Sequence, residues 1–257
     1  MPGSDDETFR LAVATSRDPL VVLPRLKTVC SALGTTLGRR VSGHLMVSYE
    51  ELERGAEDGA FHLMWLPPLV ALSLVPRGVA TALAVPVRSG RTSYSTALFT
   101  RPDADFDIGQ LSGRTVGWVD VRSGAGYVLA RALLSRRGMA PETLFAEERF
   151  YGSHQRVVQA VLSGEVDVGA TFARIDEGEV VEAAWGERRV RVLDSYGPIP
   201  ADMVAVGRTL GREREALIDE ALYDPESDLA REMYGLLECE GVAAPEPRHL
   251  EALRKLA

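Results

Sequence analysis

The chain has 257 residues, 46% hydrophobic and 26% charged, with a formal net charge of −8. This is ordinary globular composition with enough apolar content for a sizeable core, and the length fits one large domain or two lobes of roughly 100–150 residues. The acidic balance argues against nucleic acid or an anionic membrane surface as the main partner. The two cysteines, Cys30 and Cys239, lie far apart in apolar helical patterns; they imply no disulfide framework and no zinc site, only two buried free thiols. The acidic, polar N-terminus lacks the basic start and apolar run of a secretory signal, and no stretch reads as the roughly 18 apolar residues of a spanning helix. As written, the chain reads as soluble and cytoplasmic, without membrane insertion; a trimmed form of an exported, periplasmic protein would read the same way.

Strand-like and helical patterns alternate. Phe9 to Ala14 reads as a strand, and Asp18-Pro19 as N-cap and first residue of a helix through Leu37. Val41 to Val47 is a second strand. Ser48 caps a short helix through Glu57, closed near Gly59. Phe61 to Leu66 is a buried strand stopped by Pro67-Pro68, and Val79 to Val87 another. Tyr94 to Thr100 and Arg114 to Val119 continue the strands. A helix follows to Arg137, with Val128, Leu129, Ala132 and Leu133 on one face and Gly138 terminating it. Ser153 caps a helix that Gly164 breaks, before a short apolar strand. Arg189 to Leu193 and Met203 to Val206 are further strands, and the last fifty residues are largely helical. The alternation predicts an α/β protein with mixed, mostly parallel sheets flanked by helices.

Three segments carry chemistry. Asp120 to Tyr127 is a strand, a Gly-rich turn and a helix start, with Ser123 as N-cap and Gly124, Ala125 and Gly126 letting a ligand approach the backbone. Ser153-His154 opens a second helix, whose free N–H groups and positive dipole end suit an anion. Asp194 to Asp202 reads as a Pro-braced loop ending on a carboxylate, of the kind found at the carboxyl ends of parallel strands. There is also an internal echo. Ser48-Tyr49 precedes Gly59 as Ser153-His154 precedes Gly164, with a polar residue, His62 or Asp167, following each glycine. Two lobes of related design or chance would both produce it. If the lobes are related, Tyr49 and His154 open equivalent helices.

The combination resembles the phosphonate-binding type of periplasmic solute-binding protein. The resemblance rests on Asp120, Ser123 and Gly126-Tyr127, on Gly152-Ser153-His154, on Gly164-x-Val166-Asp167-x-Gly169-Ala170, and on Pro198-Ile199-Pro200-x-Asp202. Fainter matches lie at Tyr49, Trp65-Leu66-x-Pro68 and Tyr94. It implies the two-lobed type 2 periplasmic-binding fold, with a ligand cleft between lobes and hinge closure. Lobe one would comprise residues 1–96 and 203–257, and lobe two residues 97–202. The ligand-binding set it implies is Tyr49, Tyr94, Ser123, Gly124, Ala125, Gly126, Ser153, His154 and Asp202. The implied partners are a small anionic or zwitterionic ligand and an ABC permease, with no cofactor. Two departures stand out. The family's turn usually carries a run of hydroxyls, of which only Ser123 remains, and the acidic residue usual in the first lobe's strand is His62. Fewer side-chain donors point to a smaller or less charged ligand, or to greater reliance on backbone N–H groups.

Each site residue also has a structural reading. Ser123 and Ser153 are helix caps in any case. His154 reads otherwise as a histidine packed at a lobe surface, Asp202 as a loop carboxylate paired with a nearby arginine, and Tyr49 and Tyr94 as core-edge aromatics. Trp65 and Trp118 read as core and Asp167 as structural. There is no Walker loop, no His/Glu metal spacing and no nucleophile elbow, so no catalytic residue and no metal ligand is assigned. The leading reading is a solute-binding component of an ABC transporter or a ligand sensor. The alternative is a cytoplasmic enzyme on the same fold acting on a small carboxylate or cofactor precursor, with His154 and Asp202 as acid/base candidates.

Overall fold

The computed structural model describes residues 8–14, 18–246, 249 and 251; the acidic N-terminal run lies outside them. The chain opens with strand β1 (Phe9–Val13), helix α1 (Pro19–Leu37), β2 (Val41–Leu45), α2 (Tyr49–Glu57), β3 (Leu63–Leu66), α3 (Pro68–Leu74) and β4 (Ala80–Val87). A second set follows: β5 (Ser93–Thr100), β6 (Thr115–Trp118), a π-helical turn (Gly124–Val128) running into α4 (Leu129–Arg136), α5 (Pro141–Leu144), β7 (Glu147–Phe150), α6 (His154–Ser163), β8 (Val168–Asp176), β9 (Glu179–Ala183) and β10 (Arg191–Pro200). The chain ends with β11 (Met203–Gly207), α7 (Arg212–Tyr223), α8 (Asp228–Leu237) and β12 (Gly241–Ala243).

These elements form two compact units. The first takes residues 19–92 and 201–246 together with the N-terminal strand, and the second takes residues 93–200. Tyr94 therefore belongs to the second unit and Asp202 to the first. The first sheet has the order β12-β4-β11-β3-β1-β2, and the second β10-β5-β8-β6-β7 with β9 paired to β8. Among the described residues, parallel ladders are confined to β2–β1–β3 and β7–β6–β8, and every other ladder is antiparallel. The sheets are thus mixed, with less parallel pairing than the alternation of elements suggested.

In each unit a strand–helix–strand–helix–strand run forms the parallel part, and its third strand lies on the far side of its first from its second. The internal echo has a topological basis here. Ser48 caps α2 and accepts the Glu51 N–H at 3.1 Å; Ser153 caps α6 and accepts the Arg156 N–H at 3.3 Å. Gly59 and Gly164 follow the two helices with φ of +70° and +77°, a conformation glycine adopts without strain. Next comes the same device twice. His62 Nδ1 accepts the Arg10 N–H at 3.0 Å, and Asp167 Oδ2 accepts the Thr115 N–H at 2.9 Å. Each polar side chain thereby ties the entry of a third strand to the first strand beside it.

Several elements differ from the sequence reading, each for a physical reason. Pro67-Pro68 does stop β3, but Pro68 is also the first residue of α3, where its missing N–H costs nothing. The charged Glu147–Phe150 segment forms the edge strand β7, whose exposed charged side chains show no buried alternation. Asp194–Pro200 is not a loop: β10 continues antiparallel along β5 as far as Pro200, with irregular register between Tyr196 and Ile199. Helix α1 is long and apolar enough to pass as a membrane span, contrary to the reading that none exists. Val22, Leu26, Val29 and Leu33 instead fill the first unit's core beside Phe9, Leu11 and Leu63. Cys30 and Cys239 are free thiols, partly rather than fully buried, packed against that core.

Candidate ligand-binding site

The second unit brings Tyr94, Ser123–Gly126, Ser153 and His154 together at the carboxyl ends of β6, β7 and β8, where open α/β sheets present ligand sites. Val119, just past β6, ties the two helix starts to each other. Its N–H donates to the Gly126 carbonyl at 3.1 Å, and its carbonyl accepts the Gly152 N–H at 2.8 Å. The first start is unusually wide. Val128 N–H donates to the Ser123 carbonyl, and Leu129 N–H to the Gly124 carbonyl, both five residues back. Ser123 Oγ accepts the Gly126 N–H at 3.1 Å. Gly124, Ala125 and Gly126 are buried, and the Gly124 and Ala125 N–H groups have no protein acceptor among the described residues. A Cβ on Gly126 would collide with the Val119 side chain and lie 2.8 Å from Ser123 Oγ. The turn therefore requires glycine at that point.

The second start is built the same way. Ser153 accepts the Arg156 N–H, leaving the His154 and Gln155 N–H groups as the orphan donors of the first turn. The His154 imidazole is itself buried. Its Nδ1 lies 2.7 Å from the Thr171 hydroxyl, and its ring meets Phe172 edge-on at 5.2 Å between centroids. Burial lowers its pKa to about 3, so the ring is neutral at physiological pH. A neutral ring donates one hydrogen bond at most; attraction for an anion here comes from the helix ends.

Two threonines complete the wall, and sequence reading did not single them out. Thr96 Oγ1 donates to the Ala125 carbonyl at 2.6 Å, and Thr171 holds His154. Both side chains are buried on the paired strands β5 and β8. Their signal in the sequence was weak: a buried hydroxyl inside an apolar strand needs a partner. The Tyr94 hydroxyl reaches the same turn, 3.2 Å from where a Cβ on Gly124 would stand.

The remaining two candidates lie in the first unit. Tyr49 is the buried first residue of α2, the counterpart of His154 in α6. Asp202 is engaged by its own unit. Arg88 clamps it with Nη1 at 2.7 Å and Nη2 at 3.0 Å, and the Trp65 indole N–H donates to the same carboxylate. Burial pushes the Asp202 carboxyl up, but the Arg88 charge and these hydrogen bonds outweigh it and hold its pKa below the usual value. Of the two readings of Asp202, this geometry matches the arginine-paired carboxylate. Trp65 is more than core, since it supplies one of the donors. Asp167 accepts both the N–H and the hydroxyl of Thr115 at 2.9 Å and is structural. Among the described residues no group of three or more His, Cys, Asp or Glu could hold a metal ion.

Comparison with known proteins bears on the fold and the family of the chain. Among solved structures, the chain is similar to the binding-protein component of an ABC phosphonate transporter (PA3383) from Pseudomonas aeruginosa. The TM-score is 0.81 at 18% identity, covering 98% of this chain and 86% of that one. It is similar also to PhnD1 from Prochlorococcus marinus in complex with methylphosphonate, with TM-score 0.80, 11% identity and 98% and 97% coverage. XAC2383 from Xanthomonas citri bound to ATP gives TM-score 0.74, 19% identity and 97% and 96% coverage. At these identities the likeness speaks for the fold, a two-lobed periplasmic binding protein. No curated protein sequence matches. The family model described as the periplasmic substrate-binding protein of phosphonate ABC transporters matches residues 11–250. The chain belongs to that family and is a solute-binding protein.

Proposed function

We propose that this protein captures a small phosphonate- or phosphate-like oxyanion on the paired helix starts of its second unit and hands it to an ABC permease from the periplasmic side of the membrane. The observation that carries the ligand assignment is the stitching of two helix N-termini through Val119, which sets two groups of orphan N–H donors side by side. Ligand contacts are assigned to the backbone of Gly124 and Ala125, to the first turn of α6 at His154, and to the hydroxyls of Ser123, Ser153 and Tyr94. With a single hydroxyl in the Gly-rich turn, the backbone takes the larger share of the binding. Family membership supports the transport role and the permease partner, and it favours binding over the enzyme alternative.

The test is calorimetric titration with methylphosphonate, inorganic phosphate, methanesulfonate and acetate, backed by thermal shift. A ligand at a hundred times its Kd should stabilise the fold by about 2.7 kcal/mol. Methylphosphonate or phosphate should bind, and His154→Ala should weaken that binding. If none of the four anions binds, or if His154→Ala leaves Kd unchanged, the assignment of this wall is wrong.

A further inference from the structure

Strand β2 is an open edge of the first sheet, and it lacks the guards that the other edges carry. Among the described residues it pairs with β1 alone. At the far end of the same sheet, β12 has only three residues. In the second sheet β7 carries Glu147, Glu148 and Arg149, β9 carries Glu179 and Glu182, and β10 ends on prolines in irregular register. Short length, charge, proline and bulges are the usual protection of a sheet edge against pairing with another chain. The β2 sequence, Val-Ser-Gly-His-Leu, has no Asp, Glu, Lys, Arg or Pro, and its register with β1 is regular.

The ladder fixes which backbone groups β2 leaves over. Phe9 N–H donates to the Arg40 carbonyl and Met46 N–H to the Val13 carbonyl, both at 2.9 Å. With Phe9 beside Val41 and Val13 beside Leu45, the even-numbered residues of β2 bond to β1. The N–H and C=O groups of Val41, Gly43 and Leu45 therefore point out of the sheet. They are spaced evenly about Gly43, so an identical strand run antiparallel about a two-fold axis there meets every one of them: Gly43 against Gly43, and Val41 against Leu45. The side chains of these residues share the face toward α1, where Gly43 backs onto Cys30 and Leu26, and Val41 lies beside Gly34. On that face a groove of about 460 Å³ runs between α1 and β2, lined by Cys30, Gly34 and Val41, with Lys27, Arg39 and Arg40 giving it a positive rim. The two ends of the strand also differ in charge. Arg39-Arg40 precedes it, and Val47 to Glu51 follows it, with Val47 94% exposed and its N–H held by the Glu51 carboxylate at 2.8 Å. Antiparallel pairing sets the basic end of each copy against the acidic end of the other.

We propose that β2 is a docking edge for a second copy of this chain, through antiparallel pairing of the two β2 strands about Gly43. The pairing adds about six backbone hydrogen bonds. Leu45 of each copy falls opposite Val41 of the other, on the α1 face, and enters the groove beside Cys30 and Gly34. Arg39 of each copy stands across from Val47 of the other, next to the Glu51 carboxylate. Gly43 puts no side chain at the axis, where the two strands come closest. The contact is one short strand and one groove per copy, so the dimer is weak and concentration-dependent. Its charged ends make it weaker still at high salt.

The test is sedimentation equilibrium of the full chain over a concentration series. It should show a monomer–dimer equilibrium with Kd on the order of tens of micromolar. Val47→Lys sets a like charge across from Arg39 of the other copy and should weaken the dimer about tenfold or more, whereas Val47→Asp should keep it. Val47 is exposed, so both variants should fold. Cross-linking reads the register. Ser42 of one copy and His44 of the other form a non-hydrogen-bonded pair with Cα atoms about 4.5 Å apart, within reach of a disulfide. An oxidised mixture of Ser42→Cys and His44→Cys chains should therefore yield a disulfide between positions 42 and 44, identified by peptide mapping. A chain that stays monomeric at about ten times the expected Kd overturns the proposal. A dimer that is indifferent to Val47→Lys, or that forms no link between positions 42 and 44, is held by another surface, and the proposal falls.

Discussion

The His154 imidazole and the Thr171 hydroxyl form a buried pair, 2.7 Å apart, at the start of α6. One partner of a ring held this way cannot be removed without loss. Thr171→Val keeps the shape but leaves a buried ring nitrogen without its partner. It should destabilise the protein by roughly 1–3 kcal/mol in urea denaturation. It should also weaken oxyanion binding, because the ring and the first turn of α6 lose their anchor.

The same histidine sets a pH dependence. Its folded pKa, about 3, lies below the ordinary value of 6.5, because burial disfavours the charged ring. Between those values the unfolded chain binds the proton and the folded one does not, so stability falls as pH drops through this window. At full effect the loss is on the order of 3–5 kcal/mol. His154→Gln should flatten the stability profile between pH 7 and pH 4. A wild-type profile that stays level as pH is lowered from 7 to 4 would show that the ring is not held neutral. Ligand binding between pH 6 and 8 should show no titration from this residue.

Gly126 should tolerate no side chain. Its Cβ would enter the Val119 side chain and crowd Ser123 Oγ. Gly126→Ala is expected to cost about 1–3 kcal/mol by overpacking and to reduce oxyanion affinity, because Val119 ties this turn to the start of α6. Gly109 is a control, since nothing stands within 4 Å of its Cβ position.

In the first unit, Asp202 and Arg88 should behave as a buried ion pair. Arg88→Met takes the charged partner from the buried carboxylate and should cost about 3–5 kcal/mol. The double variant Arg88→Met/Asp202→Leu should recover much of that loss in a thermodynamic cycle. Additive single losses would mean that the two groups do not act as a pair.

Asp167 and His62 should prove structural. Asp167→Ala removes the acceptor for the Thr115 N–H and hydroxyl and should lower stability by roughly 1–3 kcal/mol. The Kd for methylphosphonate should be unchanged, as measured by calorimetry.

Much of the local structure is legible in the sequence because it is set by neighbouring residues. Ser48 and Ser153 cap helices by accepting N–H groups three residues on, and Gly59 and Gly164 follow them in conformations that glycine adopts freely. The alternation of apolar strands and amphipathic helices likewise announces an α/β chain. Tertiary structure alone decided which side chains are already committed. Arg88 and Asp202 meet across 114 residues of chain, and no local pattern couples them. Thr96 and Thr171 join the wall only because β5 and β8 pair in one register, which places their hydroxyls beside helix starts that come from other segments. Strand β7 escaped notice because a charged edge strand owes its form to the ladder beside it, not to an apolar face of its own. The helix starts follow from short-range hydrogen bonding and backbone conformation. What they face follows from long-range pairing, and that decides the chemistry of the site.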